Sequence, residues 1–345
     1  MSRNQRNMKR KSKRRVKIGL LVILGIFLFT TGMGYAYVRN LLDSTIKEVI
    51  PTSDKELGIG DKEFEFDDSN VNFPGKGEED EDDDLLHYYE DAKGITNIAL
   101  FGIDAPLGEK GRSDAIMIVT IDKNTKKIKL SSIIRDSYVN IPGRGMDKVN
   151  HAYAFGGPEL ALKTLNKNFH LDLRNFAAVN FTTLPKIIDT IDGVEIKITR
   201  AEATQIPGVS SAGTYNLTGE QALAYTRIRK LDSDFVRAER QRTVIEAIIS
   251  KTLDKPLTSY PGILSEVLPL ITTNMNSGDI LNLASSVVTN GIKNLEQNRF
   301  PEENYSEGQT IKGIYYYVFN RGKAVNSIGQ YIYQDIRSTI KSEDP

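Results

Sequence analysis

Residues 95–121 read ITNIALFGIDAPLGEKGRSDAIMIVTI and contain two apolar, β-branched runs, at 95–103 and 115–121. Runs of this length and composition predict buried strands. A turn at 122–125 leads to a third run at 126–134, whose alternating Ile128, Leu130 and Ile134 predict a strand paired antiparallel with the second. These runs predict a buried sheet at the centre of the fold.

Helical and strand patterns alternate on the C-terminal side of these runs. Strands are predicted at 176–181 and 193–198, and 206–219 reads as irregular. Helices are predicted at 158–168, 184–191, 220–225, 234–253, 263–274 and 279–290. The alternation predicts an α/β fold, with a mixed central β-sheet covered by helices on both sides (an α-β-α sandwich). The folded domain is expected to span residues 94–340.

Charge is strongly segregated before this domain, although the 345-residue chain has a formal net charge of zero. Residues 1–17 carry nine Lys or Arg and no acid, and residues 18–38 form an uncharged run of 21. About 20 apolar residues cross a bilayer, and the basic side stays in the cytoplasm. We therefore expect a basic cytoplasmic tail, one transmembrane signal-anchor at 18–38, and a single-pass type II cell-membrane protein whose domain is extracellular.

Residues 39–93 are expected to be a stalk followed by an acidic disordered linker. Residues 54–91 contain sixteen acids and three lysines and few apolar side chains, a composition that cannot bury a core. The chain has no cysteine and three scattered histidines. A disulfide framework and a zinc site are therefore not expected.

An arginine-rich stretch, AYTRIRKLDSDFVRAERQR at 224–242, precedes the apolar pattern of a helix that is expected to begin near Asp234. Cations at a helix N-terminus oppose the helix dipole. A bound polyanion would explain them, because a helix N-terminus with guanidinium groups binds phosphate. A solvated basic face with chance ion pairs is the alternative. Arg227, Arg229, Arg237 and Arg240 are expected to face phosphate, whereas Lys230 and Arg242 are expected to be solvated.

Two acids lie at the ends of the first two predicted strands. Asp104 follows the first strand and Asp114 precedes the second. If these strands are neighbours, the carboxylates can converge, and two carboxylates with waters and a substrate phosphate are a usual way to hold Mg²⁺. The alternatives are a helix N-cap for Asp104 and a turn for Asp114.

Further polar residues follow the third strand. Arg135 and Asp136 come at its end, where a simple ion pair is the alternative, and a glycine-bearing loop at 141–151 delivers Lys148 and Asn150. Acids and arginines without a Ser-His-Asp or Cys-His set suit phosphoryl groups, whose transfer needs positioning and charge neutralisation. The residues therefore predict a Mg²⁺-assisted site for a phosphate or pyrophosphate substrate, and the anchor makes a lipid-linked substrate natural.

Several long motifs resemble the LytR–CpsA–Psr family of Gram-positive cell-envelope proteins. They are NIALFGID, GRSDAIMIVTID, SSIIRDSYVNIPGRGMDKVNHAYAFGG, DGVEIKI, YNLTGEQALAYTRIR, DSDFVRAERQRTVI and TNMNSGDILNLASSVV. The resemblance implies a phosphotransferase that moves a glycopolymer from an undecaprenyl-pyrophosphate carrier onto peptidoglycan. The implied partners are the lipid-linked glycan, peptidoglycan and the cytoplasmic membrane, with Mg²⁺ as cofactor and no nucleic acid.

The resemblance also implies roles for individual residues. Asp104 and Asp114 match the Mg²⁺-associated acids, and Asp136 or Asp234 is the candidate base. The pyrophosphate is expected to contact Arg112, Arg135, Lys148, Arg227, Arg229, Arg237, Arg240 and Gln241. A polyprenyl pocket is expected to have walls such as Leu160, Leu165, Ile187, Ile188, Val244 and Ile248, all of which also suit an ordinary core.

Three other activities are compatible with the same residues. The site can hydrolyse the lipid pyrophosphate with water as acceptor, or the chain can bind polyprenyl phosphate without turnover. The third alternative is a membrane-anchored regulator or transcription attenuator, for which the basic block at residues 3–17 is the candidate nucleic-acid contact.

Overall fold

The computed structural model describes residues 36, 39–40, 43–60, 74, 88, 92–105, 111–228, 234–292 and 294–337, with the backbone alone for residues 234, 235, 237, 238 and 257. The predicted cytoplasmic tail and nearly all of the predicted anchor at 18–38 lie outside these residues. Within the part described, no helix combines the length and apolarity needed to cross a membrane.

A seven-stranded sheet forms the centre of the fold, in the order β1-β10-β7-β2-β3-β4-β11. Its strands are β1 (Ile46–Lys47), β2 (Ile95–Asp104), β3 (Arg112–Asp122), β4 (Lys127–Ile133), β7 (Asn175–Asn180), β10 (Ile271–Thr273) and β11 (Asn294–Phe300). β2, β3 and β4 pair antiparallel in sequence order, whereas β7 runs parallel to β2 and β11 parallel to β4. The mixed sheet and the antiparallel pairing of the third strand with the second are confirmed.

Three two-stranded ribbons accompany this sheet. They pair β5 (Tyr138–Ile141) with β6 (Gly145–Lys148), β8 (Val194–Ile198) with β9 (Gly213–Leu217), and β12 (Ser306–Ile311) with β13 (Ile314–Phe319). The prediction that 206–219 is irregular is wrong for β9, whose backbone completes the hydrogen-bonded ladder of β8.

Nine α-helices of four or more residues occur in the described part of the chain. They are α1 (Asp54–Leu57), α2 (His151–Phe169), α3 (Leu184–Thr190), α4 (Arg200–Ala203), α5 (Gly219–Thr226), α6 (Asp234–Leu253), α7 (Tyr260–Val267), α8 (Ser277–Thr289) and α9 (Arg321–Gly329). The helix predicted at 263–274 is wrong in its second half: a short 3₁₀ turn at Leu268–Leu270 follows α7 and leads into β10. Pro269 explains this ending, because proline lacks the N–H group that a helix interior requires.

Helices cover both faces of the sheet, as predicted. Ile116 and Ile118 of β3 pack in one core cluster with Leu162 of α2, whereas Ala115 and Met117 pack in a second cluster beneath α6. Successive residues of a strand point to opposite faces, so the two clusters lie on opposite sides of the sheet.

The predicted polyprenyl-pocket walls are divided between these faces. Leu165 belongs to the α2 cluster and Leu160 packs against it, whereas Ile188, Val244 and Ile248 belong to or pack against the α6 cluster. The expectation that all six predicted wall residues line one pocket is therefore wrong.

Residues 43–60 pack against the folded domain. β1 pairs parallel with β10, and Leu57 at the end of α1 is fully buried, with its carbonyl accepting a hydrogen bond from Asn166 Nδ2 at 2.9 Å. The stalk and linker prediction is wrong for these residues, because the acidic helix α1 carries one apolar side chain that enters the α2 cluster. Most of the acidic run lies outside the described residues.

The C-terminal segment is attached to the sheet through a buried lysine. Lys129 Nζ lies 3.0 Å from a carboxylate oxygen of Asp122 and 3.0 Å from one of Asp335. It also donates to the carbonyls of Tyr331 and Ile332, at 3.0 and 3.2 Å. The charge of this fully buried side chain is thus paired and hydrogen-bonded, as an interior charge requires.

Candidate active site

A small cavity of ≈ 30 Å³ lies where the carboxyl ends of β4 and β11 meet the start of β3 and helix α6. It is large enough for about one or two waters, so it is the floor of a polar site and not a complete substrate pocket. Its lining residues are Asp114, Ala115, Ile116, Ser132, Ile133, Ile134, Arg135, Asp136, Glu239, Arg242 and Arg299.

A β-bulge places Asp114 in this cavity. The register of β2 and β3 shifts between Gly102 and Ile103, so that Asp114 is the extra residue on β3. Such a bulge re-aims a side chain. The Asp114 carboxylate is buried, accepts a hydrogen bond from Asn150 Nδ2 at 3.2 Å and lies 3.1 Å from Arg135 Nη1.

Arg135 and Asp136 follow β4 and form one ion-paired unit with Lys148. Arg135 Nε donates to Asp136 Oδ2 at 3.3 Å, and Lys148 Nζ donates to Asp136 Oδ1 at 2.6 Å. The backbone is held as well: the Asn150 amide donates to the Arg135 carbonyl and the Tyr317 amide to the Asp136 carbonyl. The ion pair between Arg135 and Asp136 is present, and it continues into both Asp114 and Lys148. The structure therefore brings these four predicted site residues together.

Helix α6 and strand β11 complete the cavity with residues that the sequence did not single out. Glu239 Oε1 lies 2.9 Å from Arg242 Nη2 and 3.8 Å from Arg299 Nη1. The expectation that Arg242 is solvated is wrong, because it lines the cavity between Glu239 and Glu246. Arg299 is paired in register with Ser132, and its position at the end of a strand, like that of Arg135, is a signal that could have identified it.

Burial changes the acidity of Glu246 beside this cluster. Desolvation raises the pKa of the Glu246 carboxyl, the Arg242 charge lowers it, and the nearby Glu239 charge raises it further. The balance leaves the pKa above its ordinary value. Glu239 and Glu246 thus place two carboxylates around one guanidinium at the side of the cavity.

Arg240 does not line the cavity, although the sequence placed it against phosphate. Its buried guanidinium donates from Nε to Glu202 Oε1 at 2.7 Å and from Nη1 to the Ile228 carbonyl at 3.4 Å, and it lies 5.9 Å from the Tyr225 ring centroid. A guanidinium held in this way supports the joint between α4, α5 and α6. The expectation that Arg240 faces phosphate is not met at this cavity, because its principal partner is Glu202.

The remaining predicted site residues are buried, exposed, or outside the described part of the chain. Gln241 is buried, and its Oε1 has no hydrogen-bond partner among the described residues. Asp104 is exposed at the end of β2, with its Cα opposite that of the exposed Arg112, and Arg227 is exposed at the end of α5. Arg229 and the side chains of Asp234 and Arg237 lie outside the part of the chain that the structure describes.

The oxygen atoms near Asp114 suit a hard cation that also binds substrate. Asn150 Oδ1 and Ser113 Oγ are buried without a hydrogen-bond partner in the described part of the chain. No group of three or more His, Cys, Asp or Glu side chains that could hold a metal occurs among the described residues. Mg²⁺ is usually bound through one or two carboxylates, waters and substrate phosphates rather than by a protein cage. The buried Asp114 fits that kind of donor set. Asp104 is exposed and is paired in register with Arg112, so its convergence with Asp114 stays a prediction.

These features define an α/β protein with an arginine–carboxylate site at the ends of its sheet strands, the arrangement expected for chemistry on phosphoryl groups. The LytR_cpsA_psr family model matches residues 63–331. The chain therefore belongs to this family, which confirms the resemblance seen in the sequence motifs.

Curated relatives and solved structures agree with this membership. A polyisoprenyl-teichoic acid–peptidoglycan teichoic acid transferase, TagU of Oceanobacillus iheyensis, is 37% identical over 66% of this chain and 72% of its own length. TagT of Bacillus subtilis, named as the same kind of transferase, is 30% identical over 92% and 95%.

Among solved structures, TagT bound to LIIa-WTA superposes with a TM-score of 0.58 at 31% identity, covering 71% of this chain and 91% of that one. The YwtF (TagT) protein with bound octaprenyl pyrophosphate lipid gives a TM-score of 0.54 at 29% identity, covering 70% and 92%. The mixed α/β fold is therefore the one that these proteins share.

Proposed function

We propose that this protein transfers a glycopolymer from an undecaprenyl-pyrophosphate carrier onto peptidoglycan through a phosphodiester bond, with Mg²⁺, at the outer face of the cell membrane. The observation that carries this proposal is the cavity in which Arg135, Arg242 and Arg299 converge from three separate elements. Guanidinium groups bind phosphate oxygens in a bidentate manner. Three of them around one cavity suit a pyrophosphate better than a single carboxylate.

The arginines are held in place before any substrate binds. Asp114 and Asp136 contact Arg135, and Glu239 contacts Arg242 and Arg299. Preorganised charges in a site with little water stabilise developing charge without reorganisation during the reaction. The carboxylates thus act as positioning groups for the arginines that would bind the pyrophosphate.

An apolar region adjoins the cavity on the α6 face of the sheet. Ala115 lines the cavity and also belongs to the apolar cluster that contains Ile188, Val244 and Ile245. Ile116 and Ile133 of the α2 cluster line the cavity as well.

We assign the polyprenyl chain to the α6 face, because Arg242, which lines the cavity, lies on the same helix as the apolar Val244 and Ile245. These apolar side chains are buried, so a bound polyprenyl chain would have to separate them. A relative has been solved with bound octaprenyl pyrophosphate, which supports a polyprenyl pyrophosphate as the class of ligand.

In the proposed reaction, a sugar hydroxyl of peptidoglycan attacks the phosphorus next to the glycan. The new P–O bond forms as the bond to the bridging oxygen breaks, and undecaprenyl phosphate leaves with that oxygen. Mg²⁺ held by Asp104 and Asp114 would neutralise charge on the pyrophosphate. Asp136 is our choice for the base, because it lines the cavity and each carboxylate oxygen retains a second lone pair beside its hydrogen bond to Arg135 or Lys148.

The test is transfer of a radiolabelled, lipid-linked glycan to purified peptidoglycan by the full chain in vesicles. We expect Arg135→Lys and Arg242→Ala each to lower the transfer rate by about 10²-fold or more, the scale for loss of one positioned donor. Arg200→Ala, which changes an exposed arginine of α4, is the control and should transfer normally.

Two results would contradict the proposal. If Arg135→Lys and Arg242→Ala both transfer normally, this cavity is not the active site. Release of free phospho-glycan at the same rate with and without peptidoglycan would instead make the protein a lipid-pyrophosphate hydrolase.

A further inference from the structure

A line of contacting side chains runs from Asp136 out of the cavity to the protein surface. Lys148 Nζ, which binds Asp136, lies 5.9 Å from the ring centroid of Tyr315 and 5.8 Å from that of Tyr316. Both tyrosines are on β13, whose Tyr317 amide also binds the Asp136 carbonyl. One end of this line is therefore attached directly to the cavity.

The line continues along the β5–β6 ribbon to the start of α2. Burial raises the pKa of Tyr316, and the adjacent charge of Asp147 raises it further. Asp147 Oδ2 lies 2.8 Å from His151 Nδ1, and the His151 ring packs edge-on against Phe155 at 5.7 Å. We call the surface formed by these side chains the aromatic track: Tyr315, Tyr316, Lys148, Asp147, His151 and Phe155.

Two rings of the aromatic track are partly exposed, and a cation lies over one face of each: Arg144 over Phe155 and Lys148 over Tyr315. Tyr315 is 44% exposed and Phe155 is 40% exposed, whereas the charged side chains between them are half-buried. Large aromatic side chains normally bury their area. Here the sequence leaves one exposed aromatic at each end of a row of hydrogen-bonding groups, and Arg144 lies 5.1 Å from the Phe155 ring centroid.

This alternation suits a carbohydrate chain. A pyranose ring presents C–H groups on its faces and hydroxyl groups around its edge, so its faces pack on aromatic rings while its edge takes hydrogen bonds. Lys148, Asp147 and His151 provide both donors and acceptors between the two rings. A lipid acyl chain bound here would cover these charged groups without hydrogen-bonding to them. The free-energy cost of burying unpaired charges therefore disfavours a lipid as the ligand.

The position of the aromatic track favours the acceptor glycan, rather than the donor glycan, as its ligand. The apolar cluster assigned to the lipid lies on the α6 face of the sheet, whereas the aromatic track is built on α2, β5–β6 and β12–β13. Attacking and leaving oxygens lie roughly in line in phosphoryl transfer. A lipid phosphate that leaves toward α6 therefore requires a hydroxyl that approaches from the side of the aromatic track.

We propose that the aromatic track is the binding site for the acceptor glycan strand, with sugar rings packed on Tyr315 and Phe155 and the acceptor hydroxyl delivered to Asp136. This inference rests on the proposed transferase function for the identity of the glycan, but sugar binding by the surface can be measured without turnover.

The first experiment measures binding of N-acetylglucosamine tetramer (β-1,4-linked) to the full chain by NMR or calorimetry. Tyr315→Leu and Phe155→Leu keep apolar bulk but remove the ring, and each should weaken binding about tenfold. Tyr315→Trp keeps an aromatic face and should bind within about threefold of the unchanged protein. Val288→Ala, which changes an exposed apolar side chain of α8, is the control and should bind normally.

The second experiment measures transfer kinetics with each substrate varied in turn. Tyr315→Leu should raise the KM for the acceptor about tenfold and leave the KM for the lipid-linked donor unchanged. A rise in the donor KM alone would assign the surface to the donor glycan and overturn the inference.

The two experiments separate failure of the inference from failure of the proposed function. Normal tetramer binding and normal acceptor KM in both leucine variants overturn the acceptor site while leaving the transferase intact. If the unchanged protein binds the tetramer but transfers nothing, and both leucine variants lose tetramer binding, the glycan site is supported and the transferase function is refuted. Binding to anionic vesicles that Tyr315→Leu abolishes, without any tetramer binding, would also overturn the inference.

Discussion

Replacing Arg240 by alanine tests whether this arginine stabilises the fold or binds phosphate. Arg240 is 3% exposed and Glu202, its partner at 2.7 Å, is 7% exposed. Removing one member of a buried ion pair leaves the other charged and buried, which costs about 3–5 kcal/mol. We therefore expect Arg240→Ala to lower the free energy of unfolding by about that amount.

Thermal unfolding followed by circular dichroism measures this loss. For a domain of about 150–250 residues, 1 kcal/mol corresponds to roughly 2–4 °C in Tm, so Arg240→Ala should lower Tm by roughly 6–20 °C. Arg200→Ala changes an exposed arginine of the neighbouring helix α4 and should shift Tm by less than about 2 °C. The double variant Glu202→Gln with Arg240→Met removes both charges and should recover part of the lost stability.

The pH dependence of stability gives a second measurement of the same pair. Burial alone would raise the pKa of Glu202, but hydrogen bonds from Arg240 and Thr199 outweigh it and hold the pKa below the ordinary 4.5. A carboxylate with a lowered folded-state pKa contributes stability above its unfolded pKa and loses it as pH falls through the folded one. The stability difference between the unchanged protein and Glu202→Gln should therefore be full near neutral pH and shrink below about pH 4.5.

One outcome would refute this reasoning. If Arg240→Ala keeps its Tm within about 2 °C and loses transfer activity by 10²-fold or more, Arg240 acts on the pyrophosphate. The pairing with Glu202 would then be unimportant for stability, and the assignment of Arg240 to the α4–α5–α6 joint would be wrong.

Three further predictions concern the buried lysine, the base and the metal. Lys129→Met should lower the free energy of unfolding by about 3–5 kcal/mol in urea titrations, because Asp122 loses its buried partner, whereas Lys127→Ala at the half-exposed neighbouring pair should cost under about 1 kcal/mol. Asp136→Asn should lower kcat for transfer by roughly 10²–10⁴-fold with Asp234→Asn much less affected; the reverse order would assign the base to Asp234. Chelation with EDTA should stop transfer and added Mg²⁺ should restore it, with Tm unchanged because the cation is held mainly through substrate phosphates; full activity in EDTA would refute the metal assignment.

The strands that sequence could predict are those with a long apolar run or a clear alternation of apolar and polar residues. The runs that became β2 and β3 contain long apolar, β-branched stretches, whereas β4 (KIKLSSI) was identified by the alternation of Ile128 and Leu130 with polar residues. The ends of these strands also identified Asp114, Arg135 and Asp136 correctly as neighbours. Strand order brings their backbones to a common edge, and the β-bulge then turns the Asp114 side chain toward Arg135.

The missed strand that matters most for the site is β11, whose stability comes from a partner far along the chain. β11 reads NLEQNRF and lies at the edge of the sheet, where few of its side chains need to be apolar. Its backbone pairs with β4, more than 150 residues earlier, and that pairing is what makes it a strand. The missed cavity residue Arg299 lies on this strand, so the error in the fold produced the error in the site.

Distant partners also explain why the sequence did not indicate the pairing of Arg240. Glu202 is 38 positions away in sequence and lies on the four-residue helix α4, which no hydrophobic pattern indicates. The β-bulge that turns Asp114 into the cavity is equally invisible in the sequence, because one unpaired residue changes no composition. Neither feature has a local signal.

The arginine-rich start of α6 is less anomalous in the folded protein than in the sequence. The helix begins at Asp234, and the effect of its dipole fades within the first turn, so Arg240 and Arg242 lie beyond its reach. Each of the two has a carboxylate partner, Glu202 or Glu239, that satisfies its charge. The phosphate-binding potential therefore does not come from the helix N-terminus but from the edge of the sheet, where Arg242 meets arginines that follow β4 and end β11. A site built in this way depends on the pairing of distant strands, and a substitution that loosens β11 from β4 should impair transfer even though it touches no cavity residue.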